Sequence, residues 1–272
     1  MIYSKFTLEN FRSFKNKQTL QFAMPTGKLG SGLTYIVGAN NAGKTSSLEA
    51  MQFKHGDALN RSDLSDKSQV CVFGFFDTED NLVREVKNRT NHYLLEAPAG
   101  MPEDDDTLPF FIPSRRHWHT RIQQTSPIDY SWLISRSHTD NLRVATVYTT
   151  NIDVASLLKS AESDHDQYEQ LARIAKNIIP DFDGYAATHD EYDFIEYFSK
   201  NNSYKSSYSG EGIASILRII ANVILSEDRP IVIDEPELSL HPLAKRRLSE
   251  WLGEVSAERQ IIIATHDPYF VS

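Results

Sequence analysis

The chain has 272 residues, 40% hydrophobic and 24% charged, and its 28 Lys and Arg against 37 Asp and Glu give a formal net charge of −9. Those proportions are ordinary for a folded water-soluble domain and exclude collagen-like, low-complexity and wholly disordered chains. An acidic balance also argues against a surface that coats nucleic acid indiscriminately, because that mode depends on neutralising phosphates; a local basic groove is still allowed.

The N-terminus, Met1-Ile2-Tyr3-Ser4-Lys5-Phe6, lacks the basic-then-apolar order of a secretory signal. No run approaches the ~18 apolar residues needed to cross a bilayer, and the mean hydropathy of −0.42 agrees. Cys71 is the single cysteine, which rules out an internal disulfide and a multi-cysteine zinc site. The chain therefore reads as cytoplasmic, with no membrane partner.

Tyr3–Leu8 and Thr19–Phe22 alternate as short strands, and Leu33–Val37 is a β-rich apolar run that stops at Gly38. Helix formers follow from Gly43 to about Phe53. Val70–Phe76, Leu82–Lys87 and His92–Leu95 are expected as antiparallel strands, the first two joined by the turn-like Asp77–Asn81. Residues 96–109, with three prolines and the run Glu103-Asp104-Asp105-Asp106, read as a surface loop. Residues 152–179 are expected to be helical with a break near Ser163-Asp164 and a stop at Pro180. Tyr192–Phe198 and Tyr204–Tyr208 flank a hairpin turn. The last third has an α/β rhythm: helix Ile213–Leu225, strand Ile231–Asp234, helix Leu243–Val255, strand Gln260–Ala264.

The chemistry begins at Gly38-Ala39-Asn40-Asn41-Ala42-Gly43-Lys44-Thr45, which fits G-x-x-x-x-G-K-[ST] without a gap. Gly38 and Gly43 let consecutive backbone N–H groups wrap a phosphate. Lys44 would neutralise the β- and γ-phosphates, and the Thr45 hydroxyl would ligate Mg2+. Pro230-Ile231-Val232-Ile233-Asp234-Glu235-Pro236 is an apolar strand ending in two carboxylates. Asp234 would hold the metal, and Glu235 would polarise the water that attacks the γ-phosphate. The strand Gln260–Ala264 would lie beside it and deliver His266 to the same edge, where the ring can donate to transition-state oxygens. Tyr208-Ser209-Gly210-Glu211-Gly212 precedes a helix, with Ser209 as a possible N-cap. Pro113-Ser114-Arg115-Arg116-His117-Trp118-His119-Thr120-Arg121 is the densest basic stretch. Its arginines and Trp118 could contact nucleic acid, pair with the acidic run before them, or reach the nucleotide.

The order of phosphate loop, serine–glycine turn, Asp-Glu strand and Thr265-His266 resembles that of the ABC-type P-loop ATPases. Within that group Phe6-Thr7-Leu8-Glu9-Asn10-Phe11-Arg12-Ser13-Phe14 looks like the start of RecF, SMC-like and OLD-family ATPases. The loop Gly38–Ser46 is very similar to the OLD-type loop. Asp234-Glu235-Pro236-Glu237-Leu238-Ser239-Leu240-His241-Pro242 and Thr265-His266-Asp267-Pro268-Tyr269-Phe270 resemble that group's Walker B, D-loop and switch-histidine segments, as in the AAA_15/AAA_21-type domains of antiphage defence ATPases.

The resemblance implies a two-lobed α/β fold over 1–272: an N-terminal lobe (1–116), a mostly helical lobe inserted at 117–208, and a signature, Walker B and histidine lobe (209–272). It implies ATP and Mg2+ as ligands, bound by residues 38–46, with Arg12 and Ser13 nearby. It further implies a head-to-tail homodimer in which Ser209, Gly210 and Glu211 of one subunit cap the ATP of the other. An effector such as a nuclease would lie in another domain or chain, since none follows the ATPase here. DNA contact near Arg115, Arg116 and Arg121, and a role in DNA repair or antiviral defence, complete the expectation. A transporter nucleotide-binding subunit and a non-hydrolysing scaffold are the alternatives. The signature Ser-Gly-Glu-Gly departs from the familiar Leu-Ser-Gly-Gly, and Gln52, Gln69, Gln123 and Gln124 compete for the glutamine loop.

Overall fold

The computed structural model describes residues 2–53, 63–67, 70–88, 108–114, 158–159, 161–189, 193–205, 211–226 and 228–271. The chain divides into two compact units, one of Met1–Ser114 with Val223–Ser272, the other of Arg115–Asn222.

The first unit holds two sheets. The strands β1 (Lys5–Glu9), β2 (Gln18–Gln21), β4 (Cys71–Phe76) and β5 (Leu82–Asn88) form an antiparallel sheet in the order β2-β1-β4-β5. The strands β3 (Leu33–Val37), β6 (Phe110–Ile112), β10 (Ile231–Asp234) and β11 (Ile261–Thr265) form a parallel sheet in the order β3-β11-β10-β6. Every residue of β10 and β11 is buried, as the unbroken apolar runs require of central parallel strands.

One hydrophobic core joins the sheets. Phe6, Leu8, Phe73 and Phe75 from the antiparallel sheet meet Val232, Ile262 and Ala264 from the parallel one. Leu48, Ala50 and Met51 from helix α1 (Lys44–Ala50) and its end complete it. Phe11 stands edge-on to both Phe53 and Phe73, with centroids 5.5 and 5.3 Å away. Gln260 ties the layers by polar means. Its Oε1 accepts from the Tyr3 N–H at 3.0 Å, and its Nε2 donates to the carbonyls of Tyr3 and Ala23 at 2.7 and 3.0 Å.

The turn between β4 and β5 is an Asx turn. The Asp77 carboxylate accepts from the N–H groups of Glu79 and Asn81, each at 2.9 Å, and the Asn81 bonds hold its pKa below the usual carboxylate range. The expected strand His92–Leu95 lies outside the described residues.

In the second unit, α2 (His165–Ile178) starts where the break at Ser163-Asp164 was expected. Asp164 caps it, its carboxylate accepting from the N–H groups of Asp166 and Gln167. The strands β7 (Phe182–His189), β8 (Asp193–Ser199) and β9 (Asn202–Lys205) then form an antiparallel sheet. Within the stretch 117–208, expected to be mostly helical, residues 182–205 are thus a sheet, while residues 117–157 lie outside the described residues. The hairpin there is tighter than the sequence suggested. Lys200 and Asn201 both take positive φ (49° and 65°), the two-residue turn whose twist matches the flanking strands.

Helix α3 (Glu211–Leu225) contains the division between the units, which falls after Asn222. The helix α4 (Pro242–Val255) is capped by His241, whose Nδ1 accepts from the Leu243 N–H, with Pro242 at its first position. A single turn, α5 (Pro268–Val271), follows β11. No helix among the described residues is long and apolar enough to cross a membrane.

Candidate functional site

Parallel strands all end on the same edge of their sheet, so whatever follows each strand is brought to one place. The register pairs Asp234 of β10 with Ala264 of β11, and Thr265 of β11 with Val37 of β3. The loop after β3, the Asp-Glu pair after β10 and His266 after β11 therefore share an edge.

The loop after β3 bends at Asn41 (φ 63°) and Gly43 (φ 92°) before α1 begins. Gly43 is required for space as well as conformation, because a Cβ there would lie 2.7 Å from Phe14 Cζ and 3.0 Å from Ser13 Oγ. Lys44 is buried, and its ammonium donates to the carbonyls of Gly38 at 2.7 Å and Ala39 at 3.0 Å. The loop thus closes over its own cation. The Ala42 N–H donates back to Ala39 O at 3.2 Å, and Ser47 N–H makes the first helical bond, to Gly43 O. The N–H groups ahead of it have no acceptor within the helix, which is the usual state of a helix start.

The Thr45 hydroxyl donates to Asp234, 3.2 Å from Oδ1 and 3.0 Å from Oδ2. Asp234 is 2% exposed. A hydroxyl and a carboxylate in contact are hard oxygen donors of the kind Mg2+ takes when substrate phosphates and water complete its octahedron. The pair therefore fits the expected metal. Among the described residues no group of three or more His, Cys, Asp or Glu suits a metal ion, so a site built wholly from protein ligands is not found there.

Glu235 takes a left-handed conformation (φ 46°), with its N–H bonded to Ala264 O at 2.8 Å. Its Oε1 lies 3.6 Å from His266 Nδ1. The same nitrogen lies 3.4 Å from Oε1 of Glu237. Glu237 is buried, and that oxygen accepts from the Thr265 hydroxyl at 2.6 Å and the His266 N–H at 3.2 Å. Beyond the histidine, Asp267 is clamped by Lys245 Nζ at 2.6 Å.

The segment after β1 packs against the loop from the other side. Arg12 donates through Nε to Asp63 Oδ1 at 3.1 Å and through Nη1 to Ser46 Oγ at 3.2 Å, and lies 2.5 Å from Glu49 Oε2. Asn10 holds Asp66, donating to its carbonyl and accepting from its N–H. Arg12 and Ser13 thus stand beside the phosphate loop.

The structure brings Gly38–Ser46, Arg12, Ser13, Asp234, Glu235 and His266 together. Ser209, Gly210, Arg115, Arg116 and Arg121 lie outside the described residues; Glu211 opens α3, its side chain outside them too. Of the glutamine-loop candidates, Gln52 is engaged with Pro109 O at 3.1 Å, while Gln69, Gln123 and Gln124 lie outside. Sequence reasoning missed Glu237, Lys245, Asp267, Glu49 and Asp63. A charged residue in a turn reads as solvated, and only the repetition Asp-Glu-Pro-Glu hinted at a second carboxylate at this edge.

Solved structures of SMC head domains share the fold. The Pyrococcus furiosus SMC head with an extended coiled coil, bound to the C-terminal domain of ScpA, is 15% identical with a TM-score of 0.55, covering 99% of this chain and 90% of that one. An SMC head bound to the C-winged helix domain of ScpA has the same identity and TM-score, covering 99% of this chain and 91% of that one. The SMC head of Thermotoga maritima is 13% identical at a TM-score of 0.48, with 100% and 91% covered. A comparison with curated proteins gives no match. Residues 33–272, most of the chain, match the AAA_21 family, described as an AAA domain, putative AbiEii toxin, type IV TA system. With the phosphate loop in place, the chain belongs to that AAA-domain family and is an ATP-binding P-loop domain, with the fold of the SMC heads.

Proposed function

We propose that the chain hydrolyses ATP at this edge and uses the nucleotide to switch a head-to-tail homodimer that controls an effector in DNA maintenance or antiphage defence. The observation that carries the reading is the convergence of Lys44, Thr45, Asp234, Glu235 and His266 at the ends of β3, β10 and β11, with Thr45 in contact with Asp234.

On binding, the Lys44 ammonium would exchange the carbonyls of Gly38 and Ala39 for β- and γ-phosphate oxygens, a charge-assisted contact in place of a neutral one. Thr45 and Asp234 would hold Mg2+, which would supply positive charge to offset that of the phosphates. The Glu235 carboxylate would orient a water and accept its proton as the water oxygen bonds to the γ-phosphorus and the bond to the β-phosphate oxygen breaks, releasing ADP. His266 would donate a hydrogen bond to the γ-phosphate oxygens in the transition state. Ser209 and Gly210 of the partner subunit would close the site, which makes ATP a ligand of the closed dimer and hydrolysis its release. Arg12 and Ser13 would steady the loop from behind. The family's description as a putative toxin of a type IV TA system supports the defence side of this reading. Any DNA contact would run through Arg115, Arg116 and Arg121, and charge reversal there should then abolish DNA-stimulated hydrolysis.

Glu235→Gln tests the core of the proposal. Hydrolysis should fall by about 10²-fold or more, while light scattering with Mg-ATP shows a trapped dimer. A mass that stays monomeric in ATP would sink the switch.

A further inference from the structure

Glu237 is a buried carboxylate at this edge that the proposed reaction leaves unused. It lies past Pro236 in the turn after β10 and is 3% exposed. Its Oε1 accepts from the Thr265 hydroxyl and the His266 N–H, while its Oε2 is buried with no hydrogen-bond partner. Burying a carboxylate is unfavourable unless its charge is used. The two donors on Oε1 do not need that charge, since a glutamine carbonyl of the same reach would accept both. What the charge faces is the imidazole of His266, with Nδ1 3.4 Å away and the side chain half-exposed.

The backbone around His266 is already fixed. Its own N–H is bonded to Glu237, the Asp267 N–H donates to Thr265 Oγ1 at 3.0 Å, and Lys245 clamps the Asp267 carboxylate. The orientation and tautomer of the ring are the freedoms left. In an imidazole, the partner of one nitrogen decides what the other can do. Glu235 also approaches Nδ1, at 3.6 Å, but in the proposed reaction it turns to water, whereas Glu237 is anchored by two hydrogen bonds.

We propose that Glu237 is a positioning residue for His266. Its carboxylate keeps a proton on Nδ1, so that Nε2, on the opposite edge of the ring, is the nitrogen given to the γ-phosphate. The arrangement follows the logic by which a buried carboxylate sets the tautomer of a catalytic histidine. The inference rests on reading this edge as an ATPase site.

Glu237→Gln keeps the shape and the carbonyl acceptor and removes the charge. Its kcat should fall by about tenfold or more with KM and ATP affinity within about twofold, because a group acting only through His266 affects turnover and not binding. The double variant H266A/E237Q should turn over no more slowly than H266A. A wild-type rate in E237Q, or losses that multiply in the double variant, would overturn the proposal, as a purely structural acceptor gives one or the other. Nitrogen NMR of the His266 ring supplies a readout without turnover. The neutral wild-type ring should carry its proton on Nδ1, and E237Q should shift it toward Nε2. A wild-type ring protonated on Nε2 alone overturns the proposal. A wild-type chain with the Nδ1 proton but no ATP turnover would instead refute the ATPase reading, leaving standing only the tautomer that Glu237 sets.

Discussion

Replacing Gly43 by alanine tests whether the phosphate loop and the turn after β1 form one packed unit. The turn is closed by reciprocal bonds, Phe11 N–H to Phe14 O at 3.0 Å and Phe14 N–H to Phe11 O at 2.8 Å, so Phe14 cannot retreat without opening it. At φ 92° an L-residue costs about 1–2 kcal/mol. A Cβ 2.7 Å from Phe14 Cζ adds the cost of overpacking, about 1–3 kcal/mol. G43A should therefore lose about 2–5 kcal/mol in urea unfolding. Phe14→Ala alone, truncating a partly buried ring at the margin of the core, should cost about 1–2 kcal/mol, less than a fully buried phenylalanine. In the double variant the ring is gone and only the backbone strain and the nearby Ser13 hydroxyl remain. G43A/F14A should then be more stable than the sum of the single losses predicts, by about 1–3 kcal/mol. Strictly additive losses would refute the packing argument, and a loss below about 1 kcal/mol in G43A would refute the strain argument as well.

One further substitution and one labelling experiment probe the scaffold behind the site. Gln260→Ala strands the Tyr3 N–H and the carbonyls of Tyr3 and Ala23, at about 1 kcal/mol each, so the urea midpoint should report a loss near ~3 kcal/mol; an unchanged midpoint would mean water replaces the side chain. Burial, with the Asp63 charge adding to it, pushes the Cys71 thiol up, while an unfolded cysteine ionises near pH ~8.5. The unfolded chain sheds this proton first, so the contribution of Cys71 is fully present below that pH and lost as pH rises above it. Alkylation of the native protein at mildly alkaline pH should be slow and should become rapid in urea; fast native labelling would contradict the burial.

The elements that position the site were legible because they obey local rules. Leu33–Val37 and Ile231–Asp234 are apolar runs bounded by breakers, and the sheet contains them with those bounds. The strand β6 was not foreseen, since three residues, Phe110–Ile112, are too short to show a period and owe their conformation to pairing with β10. β7 was hidden by Asp183, Gly184, Ala186 and Ala187, which individually disfavour strands and are held by the neighbouring β8. At the site, Lys44, Asp234 and His266 announce themselves by motif. Glu237 and Asp267 do not, because burial of a carboxylate arises only when distant segments close over it. The pairing of Arg12 with Glu49 and Asp63 likewise spans 37 and 51 positions, beyond any local pattern.

Left-handed backbone gathers at the same edge: Asn41 and Gly43 in the phosphate loop, Glu235 and Ser239 after β10. Such conformations persist where the surroundings over-determine them. Glu235 is held by its own N–H on Ala264 O at 2.8 Å and by the Leu238 N–H on its carbonyl at 3.2 Å. Replacing it separates backbone strain from chemistry. Glu235→Gly and Glu235→Ala both remove the carboxylate and its approach to His266, so their difference in stability reports the backbone alone. At an ordinary position glycine is the less stable of the two by about 0.5–1 kcal/mol. At φ 46° alanine carries a strain of about 1–2 kcal/mol that glycine escapes. The ordinary order should therefore be lost, with E235G as stable as E235A or more stable by up to about 1.5 kcal/mol, although both lose hydrolysis. If E235A kept the ordinary advantage of about 0.5–1 kcal/mol, the turn would be relaxed, and the carboxylate would reach the sheet edge without strain. If the ordinary order is lost, the glutamate occupies a position whose backbone favours glycine, as expected where strain is held for the proposed role of its carboxylate.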